Sequence, residues 1–144
     1  RPRYLNPTSD LATNPRLSRA RPVETRHREV VVTEGAIDAL SAASAGYRAV
    51  AVLSATYGDE AVAASLAKVP HPLVIAFDPD DAGRAGAHRL ASLLEARQRP
   101  PVVIDLGHGD LNDAMRRSND WPGTLRSAVH GEVANREADL AVGR

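Results

Sequence analysis

The chain has 144 residues, 43% of them hydrophobic and 25% charged, which is enough apolar content for one core of ordinary size and excludes a disordered polypeptide. With no cysteine there is neither a disulfide framework nor a Cys-ligated zinc, the five histidines show no HxxxH or HExxH spacing, and no apolar run reaches the roughly 18 residues that cross a bilayer. Eighteen bases balance eighteen acids, yet residues 1–28 hold seven arginines against two acids and residues 29–144 eleven bases against sixteen acids, so a basic stretch precedes an acidic one.

Residues 1–28 also hold four of the ten prolines and no apolar periodicity, which predicts a basic extended arm or linker. The start lacks the apolar stretch of a signal peptide and has no initiator Met, so a cytoplasmic segment of a longer protein is expected. From residue 29 the texture changes. "EVVVT" (29–33) reads as a strand, and "EGAIDALSAASAG" as a helix that stops at Gly46. "RAVAVLS" (48–54) is a second strand, 59–68 a helix ended before Pro70, "PLVIAF" (72–77) a third strand, and 82–97 a helix carrying Leu90, Leu93 and Leu94. "PVVIDL" (101–106) is the fourth strand and leads into the short helix of "GDLNDAMRR". After residue 119 the signal fades: a last small helix over Trp121-Pro122 and "TLRSAVH" and a loosely held tail over 131–144 are expected. Apolar strands without alternation, separated by helices, predict a compact α/β fold of about four parallel strands with helices on both faces.

In such a sheet the strand C-termini lie along one edge, where ligands bind. Glu34 follows strand one, Asp78 and Asp80 follow strand three, and Asp110 and Asp113 come shortly after strand four. Proline at 79 pushes Asp78 to extended geometry, and residues i and i+2 of an extended segment share a side, so Asp78 and Asp80 are expected to point together. Two such carboxylates repel unless a cation lies between them, and a hard cation held by oxygen, above all Mg2+ or else Mn2+, is the natural partner. Asp81 is expected at the N-terminus of the following helix, where a carboxylate is favoured. Taken singly, these residues have plain structural readings: Glu34 as a first-turn acid, "DPDD" as a turn with a helix cap, Asp38 as a helix residue, Arg84 as a surface residue and His108 as loop. Their conjunction on one sheet edge is what points to function.

The three segments "VVVTEGAIDAL", "VIAFDPDDAGRAGA" and "GDLNDAM" together resemble the Toprim domain of DnaG-type primases, phage and mitochondrial primase-helicases, topoisomerases and some nucleases, over about residues 29–118. "DxDxAGRxG" beside "EGxxDAL" looks more primase-like than topoisomerase-like, and "RYLNP" in the arm is similar to the segment that precedes this domain in DnaG-type primases. The resemblance is therefore to the DnaG-type primase and phage or plasmid primase-helicase branch, with a phage, plasmid or other mobile element as the expected source. The resemblance implies Mg2+-dependent nucleotidyl transfer in primer synthesis, with Glu34 as general acid/base or metal contact, Asp78, Asp80 and Asp110 as metal ligands, and Arg84 as a phosphate contact. It implies metal-binding or supporting roles for Asn112 and Asp113, and structural roles at the site for Gly35, Asp38 and Gly83. Two positions depart from the primase pattern: Gly109 stands where many primases have lysine, and Asn112 where they have a second aspartate.

Implied partners are nucleoside triphosphates, a single-stranded DNA template and flanking zinc-binding or helicase domains, with no zinc in this chain and no membrane. A Toprim-type nuclease uses the same acids, and a non-catalytic metal- and nucleotide-binding module is a third reading. A topoisomerase is disfavoured because Tyr4, Tyr47 and Tyr57 lie in no recognisable strand-cleaving context. Residues 29–144 are net acidic and the chain is only 3% aromatic, so this domain is expected to lack the basic groove and stacking platform that grip single strands.

Overall fold

Short runs of β-branched residues that are buried on both faces build the centre of the molecule. The computed structural model describes residues 17–53 and 60–143. β2 (Val30–Thr33), β3 (Arg48–Val52), β4 (Leu73–Ile75) and β5 (Val102–Val103) are parallel, and β1 (Leu17–Ala20) adds antiparallel to β3, giving the order β1-β3-β2-β4-β5. Every residue of β2 and β4 is buried, which explains why these strands read as unbroken apolar runs.

Alternate side chains feed two cores, as the pleat requires. Val31, Ala49, Ala51 and Val74 meet α1 (Ala36–Ser44), α4 (Leu111–Arg117) and α5 (Trp121–Ala141) on one face. Val30, Val32, Val50, Val52 and Ile75 meet α2 (Glu60–Ala67) and α3 (Asp81–Ala96) on the other. The chain moves from β2 outward to β3, then crosses back over β2 to β4. This reversal opens a crevice beyond the C-terminal ends of β2 and β4, where an open α/β sheet binds its ligands.

The α/β architecture is the one expected, with two corrections. The arm contributes a strand, β1, because its backbone completes the ladder on the exposed edge of β3, a role that needs no apolar periodicity. The loosely held tail is instead the second half of a 21-residue helix, α5. Trp121, Leu125 and Val129 recur every four residues and are buried, with Val133 packed against the same core. Trp121 Nε1 donates to Ser41 O at 2.7 Å, and Arg136 Nη1 to Pro100 O at 2.8 Å, so both halves of the helix are anchored. The arm's first sixteen residues, Ser54 of the expected second strand and the first residue of the expected 59–68 helix lie outside the described residues.

Candidate metal centre

Glu34 leaves β2 at the sheet edge, and Gly35 caps α1 in an extended conformation. Thr33 Oγ1 donates to Gly35 O at 2.9 Å and fixes the turn. Asp38 is the third residue of α1; helical side chains lean towards the N-terminus, so its carboxylate returns to the sheet edge although the residue is only 7% exposed.

Asp78 follows β4 and Phe77, and its backbone N–H donates to Glu34 Oε1 at 2.9 Å, tying the ends of two adjacent strands together. Asp80 is the N-cap of α3, its Oδ1 accepting from Gly83 N at 2.7 Å. Gly83 is required by space: a Cβ there would sit 2.0 Å from Asp78 O and 2.9 Å from Glu34 Oε1. The first turn of α3 thus lies directly on the Asp78 backbone.

Asp110 caps α4 through a capping box: its Oδ1 accepts from Asp113 N at 2.8 Å, while Asp113 Oδ2 accepts from Asp110 N at 3.3 Å. One residue earlier, Gly109 has φ +70°, and a Cβ on it would meet Asp113 Oδ2 at 2.6 Å, so a lysine here would strain the backbone and displace the Asp113 side chain. Asn112 N–H donates to Asp38 Oδ1 at 3.1 Å, which makes Asn112 a residue that holds an acid in position.

The outcome is a trio: Asp38, Asp78 and Asp110 each present an oxygen, and these oxygens all lie within 4.8 Å of one another. Three carboxylates this close, partly buried, resist ionisation. Burial, opposed by the Asn112 N–H and reinforced by Asp110, Asp78 and Glu34, pushes Asp38 up to about 7. Burial and then the charges of Glu34, Asp110, Asp80 and Asp113 push Asp78 up to about 6. A divalent cation relieves that repulsion, and an all-carboxylate donor set suits Mg2+ or Mn2+, so the residues fit such an ion.

The expected ligands and the observed trio differ in one member. Asp80 lines the same hollow of about 410 Å3 as Asp78, Asp110 and Asp113, but its side chain serves the cap of α3 and it is not in the trio. Asp38, expected only to support the site, presents its oxygen beside those of Asp78 and Asp110. Its spacing was the available signal, since Glu34 and Asp38 are one helical turn apart and a side chain at that position leans back over the edge. Asp81 is the first residue of α3, at the helix N-terminus where it was expected. Arg84 is exposed and its Nε donates to Asp105 Oδ2 at 3.1 Å; the Gly107 N–H and this ion pair hold Asp105 below the ordinary carboxylate range. Tyr47 is fully buried, stacked on His27 with ring centroids 4.0 Å apart, and Tyr4 and Tyr57 lie outside the described residues.

A Rossmann-like sheet whose switch point carries converging carboxylates defines an α/β domain with an acidic cluster that could hold a divalent cation. A family model described as Toprim-like matches residues 31–115, and the chain belongs to that family, whose domains bind Mg2+ through acidic residues. A DNA primase of Listeria monocytogenes is 31% identical over 124 residues, which is 81% of this chain and 20% of that protein, so the chain spans about a fifth of that relative. The primase fragment of the bacteriophage T7 primase-helicase protein superposes with a TM-score of 0.59 at 26% identity, covering 71% of this chain and 44% of that one. A chain from the bacteriophage T7 lagging-strand polymerase assembly, with primase domains bound to an RNA/DNA hybrid and dTTP, gives a TM-score of 0.58 at 26% identity over 71% of this chain and 53% of that one. The zinc-binding and RNA polymerase domains of the Aquifex aeolicus primase share the fold, with a TM-score of 0.62 at 24% identity over 72% of this chain and 26% of that one.

Proposed function

We propose that this chain is the catalytic Toprim domain of a primase from a phage, plasmid or other mobile element, acting in the cytoplasm in Mg2+-dependent nucleotidyl transfer during primer synthesis. The observation that carries this reading is the convergence of the Asp38, Asp78 and Asp110 oxygens within 4.8 Å, beside a glutamate bonded to the backbone of Asp78. Asp78 and Asp110 would hold Mg2+, with Asp38 behind them and Asp80 and Asp113 on the rim of the same hollow. When bound, Mg2+ supplies charge neutralisation to a triphosphate and acidifies an attacking hydroxyl. Glu34 uses Oε1 to fix the Asp78 backbone, which leaves Oε2 to take a proton. Arg84, one turn into α3, would turn from Asp105 to a phosphate. The partners of this reading are nucleoside triphosphates and a single-stranded template, with zinc-binding or helicase domains alongside, as in the named relatives.

The test is Glu34→Gln in the protein that carries this chain. Glutamine keeps an oxygen for the Asp78 N–H, so the fold should be unaffected while primer synthesis falls by about a hundredfold or more, as for loss of a general base. Full primer synthesis by the variant would contradict the reading. Metal-dependent cleavage of nucleic acid, abolished by the same change, would assign the centre to hydrolysis instead.

A further inference from the structure

The edge of the sheet opposite the acidic centre carries the reverse charge. A cleft of about 450 Å3 opens there, lined by Arg19, Arg21, Arg48, Lys68 and His71 over a floor that includes Val30 and Val50. Its place follows from the register. Arg48 opens β3 opposite Val30, which opens β2, and Ala20 at the end of antiparallel β1 lies opposite Ala49. The cleft therefore sits where the parallel strands begin, and the carboxylates sit beyond where they finish. Arg19 lies opposite Val50, so it shares the face on which Val50 packs with α2.

Among the described residues no carboxylate lines this cleft. Among the described residues the ion pairs are Arg26 with Glu24, Arg84 with Asp105 and Arg97 with Glu60, none of which involves a cleft cation. Arg19, Arg21 and Lys68 are exposed and Arg48 is half-buried. One wall is also fixed in place, because Arg99 donates to Ala67 O at 2.6 Å and to His71 O at 2.8 Å. Soluble surfaces ordinarily intersperse the two signs of charge. Five basic residues gathered without an acid, on a molecule whose residues 29–144 are net acidic, depart from that pattern.

We propose that this cleft is a second ligand site of the chain, binding phosphate groups, and that the backbone of a single-stranded nucleic acid is the source it fits best. The cations come from β1, β3 and the segment after α2 and surround an open cleft, so they suit successive phosphates of a strand better than one compact anion. Among the described residues no Phe, Tyr or Trp lines it, so charge outweighs stacking, and the grip is independent of sequence and sensitive to salt. This site does not rest on the catalytic reading of the acidic edge.

Fluorescence anisotropy of a short labelled oligothymidylate, titrated with the chain, tests it. Arg19→Glu/Arg48→Glu/Lys68→Glu should weaken binding at low salt by at least about tenfold, and the matching triple alanine variant should flatten the logarithmic salt dependence by about 0.7 for each phosphate that is no longer neutralised. Displacement of the strand by ATP at constant ionic strength would keep the phosphate site and assign it to free nucleotides. Among the described residues the cations have no carboxylate partner to lose, and circular dichroism checks the fold, the alanine variant carrying the test should the glutamates disturb it. Unchanged affinity and unchanged salt dependence in the folded variants would overturn the proposal.

Discussion

Asp38 is the side chain whose burial and chemistry conflict most. It is 7% exposed, it accepts one backbone hydrogen bond, and it faces two further carboxylates. Pushed up to about 7 from an ordinary 3.8, it keeps in the folded state a proton that the unfolded chain releases. Its contribution to stability is therefore full below about pH 4 and is lost as pH rises towards 7, and Asp78, pushed up to about 6, acts in the same direction. In metal-free buffer the melting temperature should fall between about pH 5 and pH 7.5, and Asp38→Asn should show a smaller fall and melt higher than the wild type at the upper pH. Superimposable pH profiles for the two proteins would contradict this. The sequence showed Asp38 as one acid in a helix; its role depends on a burial that no polar residue reveals by its own identity.

At the scale of elements, helix caps and the acidic centre are built from the same residues. Asp110 starts α4 and also supplies one of the three clustered oxygens, so the two roles are separable by substitution. Asparagine is as good an N-cap as aspartate, whereas alanine gives up about 1 kcal/mol. Asp110→Asn should therefore keep the melting temperature and lose Mn2+ affinity, while Asp110→Ala should lose both; equal metal affinity in all three proteins would remove Asp110 from the centre. This double use explains what could be read in advance. The strands after Glu29, the helices between them and the edge on which the acids fall were legible, because burial on both faces leaves unbroken apolar runs. Which residue of "DPDD" caps was not: Asp80 does so, its Oδ1 accepting from Gly83 N, while Gly83 packs on the Asp78 backbone. β1 was hidden because an edge strand is held by its ladder, and Arg19 gives it no apolar signature. The far half of α5 was hidden because its exposed, charged turns outnumber the four-residue recurrence of Trp121, Leu125, Val129 and Val133.

For the whole molecule, zero net charge conceals a separation of sign across the sheet. Acids cluster beyond the C-terminal ends of β2 and β4, and cations line the cleft where β2 and β3 begin. The acidic edge is costly to keep without a counter-charge, and its natural occupant is a divalent cation. Affinity should be modest, since Mg2+ retains waters and takes further oxygens from substrate phosphates. The central claim is that the clustered carboxylates form this cation site, and Mn2+ titration followed by electron paramagnetic resonance tests it most directly. At about pH 7.5, where both raised aspartates can ionise, the wild-type chain should deplete the free Mn2+ signal and Mg2+ should restore it, whereas Asp78→Asn/Asp110→Asn, folded by circular dichroism, should leave the signal undiminished. Depletion by the double variant equal to that of the wild type would contradict the account.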